Sequence, residues 1–180
     1  KSVLQVRYTP DNIPHRDVQI KAIASILAPI LRGERVSNLF LYGKTGTGKT
    51  LSVEHITDSL AAKAKELDVP VKFVYLNCKL KKVADTEYRI LAALTEQLIN
   101  RADLSPKEKK ELSVPNTGLP TQEVYSRFIK LVDREEQLVV FVFDEIDQAI
   151  KKISDDFLYS MTRLNSELKL AQMSMIGISN

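Results

Sequence analysis

The run Gly43-Lys44-Thr45-Gly46-Thr47-Gly48-Lys49-Thr50 carries the plainest chemistry in the chain. Its pattern is a glycine, four residues, then Gly-Lys-Thr. Glycines let a backbone turn its N–H groups inward around an anion. A helix opening at the lysine adds the positive end of its dipole to the same point. The spacing is therefore that of a P-loop, a cradle for the phosphates of a nucleotide. Lys49 is expected to reach the β and γ phosphates, and the Thr50 hydroxyl to ligate Mg²⁺. The motif lies between a predicted strand and a predicted helix, which is the context it requires.

A second chemical signal is the run Leu138-Val139-Val140-Phe141-Val142-Phe143-Asp144-Glu145, an apolar strand ending in two carboxylates. In a doubly wound sheet, ligands bind at the carboxyl ends of the strands. Asp144 is therefore expected beside the phosphate loop, in the Mg²⁺ shell. Glu145 is placed as the base that orients and polarises an attacking water. Asp147 reads instead as a cap on the segment that follows.

These side chains need a scaffold, and the pattern supplies one. Short apolar runs alternate with longer helical periods, the signature of a parallel sheet with crossover helices. Residues 8–15 contain two prolines and read as an extended lead-in. Helices are predicted over 16–31, 49–67, 85–101, 121–136 and 154–170. Strands are predicted over 39–42, 71–76, 138–143 and 173–178. The stretch 102–120 holds prolines, a glycine and lysines, and reads as a helical turn and an exposed loop. The fold class expected is α/β, a three-layer sandwich around a parallel sheet. A sheet ending on its fourth strand suggests a part of a longer protein, truncated before a fifth strand.

Composition sets the outer bounds. The chain has 180 residues, 44% hydrophobic and 27% charged, ordinary for a soluble globular protein and long enough for one α/β domain. The net charge of +3 permits a nucleic-acid partner without arguing for one. One cysteine, Cys78, rules out an internal disulfide and a four-cysteine zinc site, and suggests a reducing compartment. It is expected to pack as a small apolar residue at a strand end. The longest apolar run, Leu138 to Phe143, is far shorter than the roughly 20 residues that span a bilayer.

Taken in order, four segments resemble the initiator branch of the AAA+ ATPases: Ile13-Pro14-His15-Arg16-Asp17, Gly43 to Thr50, Phe143-Asp144-Glu145-Ile146-Asp147, and Ile176-Gly177-Ile178-Ser179-Asn180. The chain is most similar to the archaeal origin-recognition and cell-division-cycle initiators. That resemblance implies an AAA+ nucleotide-binding subdomain over 1–180, with a helical lid, an arginine finger and a winged-helix domain beyond it. It implies ATP or ADP with Mg²⁺ as cofactors. It places Ile13, Pro14, His15 and Arg16 against the adenine, and Asn180 as a sensor of the γ-phosphate or the attacking water.

The resemblance also gives Val114-Pro115-Asn116-Thr117-Gly118-Leu119-Pro120 as the tip of an insertion that touches origin DNA. Leu119 and the prolines would press on a minor groove, and Lys107, Lys109 and Lys110 would neutralise phosphates. The residues alone favour a solvated loop, with the lysines balanced by Glu108 and Glu111, and it is the resemblance that favours DNA contact. The partners implied are origin double-stranded DNA, identical or paralogous initiator subunits and a replicative helicase, with no membrane. A cytoplasmic, nucleoid-associated location and slow ATP hydrolysis acting as a switch follow. Without the missing arginine finger and second sensor, this piece alone is expected to be inactive. A signalling-type switch ATPase that binds no DNA is the alternative. A metabolic kinase is disfavoured by Glu145, and a clamp-loader subunit by the absence of zinc ligands.

Overall fold

In a computed structural model, residues 17–80, 85–115, 117–153 and 156–180 are described. Ile13, Pro14, His15, Arg16, the lead-in at 8–15 and Asn116 lie outside the described residues. The chain runs α1 (Asp17–Leu27), β1 (Leu39–Tyr42), α2 (Lys49–Glu66), β2 (Val71–Asn77), α3 (Glu87–Arg101) and α4 (Pro106–Leu112). It continues through α5 (Thr121–Val132), β3 (Leu138–Asp144), α6 (Ile146–Ile153), α7 (Asp156–Leu164) and β4 (Gln172–Ser179). The strands form a parallel sheet in the order β1-β4-β3-β2. Helices cover both faces, so the expected three-layer α/β class holds.

Strand periodicity assigns the two cores. Every residue of β3 is buried. Val139, Phe141 and Phe143 join the core beneath α3, α5, α6 and α7. Leu138, Val140 and Val142 point the other way, into the core beneath α1 and α2. Successive side chains on a strand face opposite sides, and a strand covered on both faces must be apolar throughout. An aromatic ladder stiffens the first core. Phe128 of α5 lies 5.6 Å from Phe141, Phe141 6.5 Å from Phe143, and Phe143 6.0 Å edge-on from Phe157 of α7. Each such pair adds roughly 0.5–1.5 kcal/mol beyond its burial, and together they clamp the strand that ends in Asp144.

The helix boundaries differ from the sequence expectation where side chains intervene. α1 stops at Leu27 and tightens into a 3₁₀ turn over Ala28–Arg32. Pro29 has no N–H to continue the α-helix, and Gly33 closes the turn at φ 72°. α3 starts at Glu87 because the Thr86 hydroxyl accepts from the Arg89 N–H. The expected helical turn in 102–120 is α4, which has a capping box between Ser105 and Glu108 and Pro106 in its first turn.

The predicted helix over 121–136 ends at Val132. Asp133 turns away and its carboxylate accepts from the N–H groups of Lys169, Leu170 and Ala171. The predicted helix over 154–170 shortens to α7 (Asp156–Leu164), and α6 (Ile146–Ile153) precedes it where no helix was predicted. α6 follows β3 directly and buries Ile146 and Ala149. α7 ends at Leu164, because the Asn165 amide pairs with both backbone groups of Met173 at 2.7 and 2.9 Å. Asp147 lies in the first turn of α6, where a negative charge suits the helix dipole.

Candidate functional site

The parallel register brings four strand ends to one edge. Tyr42 pairs with Ser179, Phe143 with Gly177, and Asn77 with Asp144. β1, which feeds the glycine-rich loop, and β3, which ends in Asp144, are not neighbours. β4 runs between them, and Asn180 follows at its tip.

The loop is shaped by three glycines. Gly43, Gly46 and Gly48 have φ of 155°, 79° and 75°. Gly46 and Gly48 thus occupy left-handed backbone that a side chain would strain. Gly48 caps α2 without a side-chain bond, so the first N–H groups of this 18-residue helix point into the loop. The Thr47 hydroxyl donates to Lys44 O at 2.8 Å and tightens the turn. Thr45 at the crest is exposed. The Lys49 ammonium arches over the loop, donating to Gly43 O at 2.7 Å, Lys44 O at 3.0 Å and Asn180 Oδ1 at 2.9 Å. Lys49 and Asn180 are thereby joined across 131 positions of sequence.

Asp144 is only 5% exposed, and its carboxylate is fully engaged. Thr50 donates its hydroxyl to Asp144 Oδ1 at 2.9 Å. Tyr75 donates to Oδ2 at 2.7 Å and the Asn77 amide at 3.1 Å. The Glu145 N–H also reaches Oδ1, at 3.0 Å. Buried carboxylates need such donors, and these fix one orientation facing Thr50. Thr50 and Asp144 present hard oxygen donors at one point. Mg²⁺ fits that set, because it is commonly held by one or two protein groups with phosphates and waters completing its octahedron. Among the described residues no cluster of three or more His, Cys, Asp or Glu side chains could hold a metal.

Glu145 leaves the strand through left-handed backbone at φ 51°. Its carboxylate is 3.3 Å from the Lys79 ammonium. Tyr75, Asn77 and Lys79 are functional neighbours that sequence reasoning missed. Their signal was present: polar residues two apart at the end of β2 share the strand face of Asp144's partners. The segment 77–79 braces the acidic strand end as a unit. Besides the Asn77 and Lys79 side chains, Cys78 N–H donates to Asp144 O at 2.8 Å. Cys78 itself is buried as expected, and burial, then the nearby Asp144 charge, pushes its thiol up to about 12. A cavity of about 410 Å³ opens beside the site, lined by Thr50, Glu54, Tyr75, Asn77, Glu96 and Asp144.

The structure gathers Lys49, Thr50, Asp144, Glu145 and Asn180 at this edge and leaves the residues of the insertion elsewhere. Lys107, Lys109 and Lys110 are exposed on α4. None has an ion-pair partner among the described residues. Glu108 is occupied instead by the Ser105 cap at 2.8 Å and by Arg134 at 3.4 Å. Beyond α4 the backbone is tied down: Arg127 donates to Ser113 O at 2.5 Å, and Tyr88 OH to Pro115 O at 2.7 Å. Val114 and Leu119 are half-buried against the core, while Thr117, Gly118 and Pro120 are exposed.

A model of the AAA ATPase domain family matches residues 12–174. The chain is 45% identical over its whole length to an ORC1-type DNA replication protein of Pyrococcus abyssi, of which it covers 40%. It is 47% identical to that of Thermococcus kodakarensis, covering 41%. Among solved structures it is similar to the Aeropyrum pernix ORC1 protein in complex with DNA. There the TM-score is 0.82 at 39% identity, over 99% of this chain and 42% of the other. The chain thus spans about two fifths of the length of the curated relatives it matches.

Proposed function

The chain belongs to the AAA ATPase domain family, and from that premise we propose that it is the ATP-binding core of a DNA replication initiator. It binds origin duplex DNA and supports helicase loading, with hydrolysis of ATP to ADP as the switch. The observation that carries the nucleotide part is the 2.9 Å bond from Thr50 to the buried Asp144, which joins the phosphate loop to the acidic strand end. Similarity to ORC1-type proteins supports the replication part.

In this reading the loop N–H groups from Gly43 to Thr50 cradle the phosphates, and Lys49 exchanges its carbonyl partners for phosphate oxygens. Thr50 and Asp144 would hold Mg²⁺, which would neutralise negative charge building on the phosphates. Glu145 accepts a proton from the attacking water as its oxygen bonds the γ phosphorus. The bond from that phosphorus to the bridging oxygen breaks, and ADP leaves. Asn180, already bonded to Lys49, senses the γ-phosphate. Ile13, Pro14, His15 and Arg16 lie against the base. The exposed lysines of α4 and the tip at Val114–Pro120, Asn116 included, meet the duplex. A lid, an arginine finger and a winged helix outside this chain complete the machine, and like subunits assemble around the nucleotide. Its place is in the cytoplasm on the nucleoid; among the described residues no helix is long and apolar enough to cross a membrane.

The test is fluorescence anisotropy of the full-length protein with labelled origin and scrambled duplexes over a range of salt. Tighter binding to the origin, with a slope that shrinks by about 0.9 per phosphate contact removed when Lys107, Lys109 and Lys110 become alanine, supports the proposal. No duplex binding at any salt ends it and leaves a P-loop switch whose partner is a protein.

A further inference from the structure

We propose that the groove between α5 and α7, rimmed by Tyr159 and Arg163, is a second contact surface for the backbone of duplex DNA; this rests on the DNA-binding reading above. The groove encloses about 510 Å³ and is walled by Thr121 and Gln122 on α5 and by Tyr159, Ser160 and Arg163 on α7. Tyr159 is 63% exposed, one of the most open aromatic side chains among the described residues. Its ring lies under the Arg163 guanidinium, 5.8 Å from the ring centroid. The exposed ring gives the guanidinium a face to stack on. A cation stacked on it is held rigid at little entropic cost, ready for an anion.

Charge selects the occupant. Arg163 has no ion-pair partner among the described residues, although Glu167 lines the same groove. Its guanidinium therefore keeps its donor fork for a phosphate. Lys107, Lys109 and Lys110, likewise without an ion-pair partner among the described residues, lie on α4 at the other end of the insertion. Topology makes these one surface. Thr121 and Gln122 follow Pro120 directly, so the groove begins where the tip ends. Contacts bridge the rest: Tyr88 at the start of α3 holds Pro115, and Glu87 beside it holds Tyr125 in the floor of the groove. In a parallel sheet the starts of α3 and α5 lie at the strand ends that carry the nucleotide loop. A duplex along the tip would run on to Arg163, with the guanidinium on a phosphate and the Tyr159 ring against a sugar.

The test uses the full-length protein and the anisotropy titration with origin and scrambled duplexes. Arg163→Ala is expected to weaken both duplexes equally, by several-fold, and to reduce the salt slope by about 0.9. Tyr159→Ala should weaken both without changing the slope, and Tyr159→Phe should match the wild type. Both side chains are exposed, so thermal melting should be unchanged, and Arg163→Lys keeps the slope if the alanine variant melts early. Unchanged binding and slope in Arg163→Ala, while the triple lysine variant loses affinity, overturns the groove and leaves the tip standing. If duplex binding survives but Tyr159→Ala breaks self-association in sedimentation, the groove is a protein interface and the proposal also falls. Absence of duplex binding in the wild type refutes the underlying reading instead.

Discussion

Changing Tyr75 to phenylalanine removes one oxygen atom from beneath Asp144. The hydroxyl lies 2.7 Å from Oδ2 of Asp144, a residue only 5% exposed. Hydrogen bonds to charged groups contribute about 1.5–3 kcal/mol. The Asn77 amide remains on the same oxygen at 3.1 Å, which puts the expected loss near the lower end, roughly 1.5–2 kcal/mol. For a domain of this size that lowers the melting temperature by about 3–8 °C. The second effect is on function. Asp144 would still face Thr50 but with one restraint fewer, and removing a partner of a metal-holding group typically costs about 10–100-fold in metal affinity or activity. Titration of a fluorescent ATP analogue should therefore show about tenfold weaker binding with Mg²⁺ and little change in EDTA. Wild-type stability together with wild-type Mg²⁺ dependence would refute the view that Tyr75 orients Asp144. Equal weakening with and without Mg²⁺ would refute the placement of the metal there.

Asp133→Ala should destabilise the protein by about 1 kcal/mol at neutral pH, as exposed hydrogen bonds to Lys169, Leu170 and Ala171 are lost. Those N–H groups, Ala171 first, hold the Asp133 carboxyl below its usual range. Its contribution is thus full above the unfolded value near pH 4 and fades as pH falls through the lowered one, so urea melts of wild type and variant should converge in acid. Gly177→Ala would set a methyl group 2.6 Å from the Phe40 ring. Phe40 is half-exposed and can swing aside, so a loss of about 1 kcal/mol is expected, and Phe40→Ala in the same chain should restore most of it in a double-mutant cycle. Cys78, raised to about 12 chiefly by burial, should resist alkylation in the native protein across pH 7–9 and react at once in denaturant. Rapid native labelling would show that the end of β2 opens.

What the sequence determined by itself was whatever depends on neighbours along the chain. The phosphate loop was legible because its glycines, its lysine and the start of α2 act within a few residues. The end of β3 was legible because an unbroken apolar run must be covered on both faces and must stop where charge begins. The same reasoning placed four parallel strands and buried Cys78. It misjudged helix ends wherever a side chain bonded across the fold, as Asp133 does to Lys169–Ala171 and Asn165 to Met173. It also passed over α6, whose single turns gain stability only from packing Ile146 and Ala149 against the sheet. Only the tertiary structure decided that β4 runs between β1 and β3, bringing Asn180 onto Lys49. Only it set Tyr75, Asn77 and Lys79 around Asp144 and Glu145, and stacked Arg163 on Tyr159. Those meetings join residues tens of positions apart. Strand order and register fix them, and no local pattern encodes which distant strands will pair.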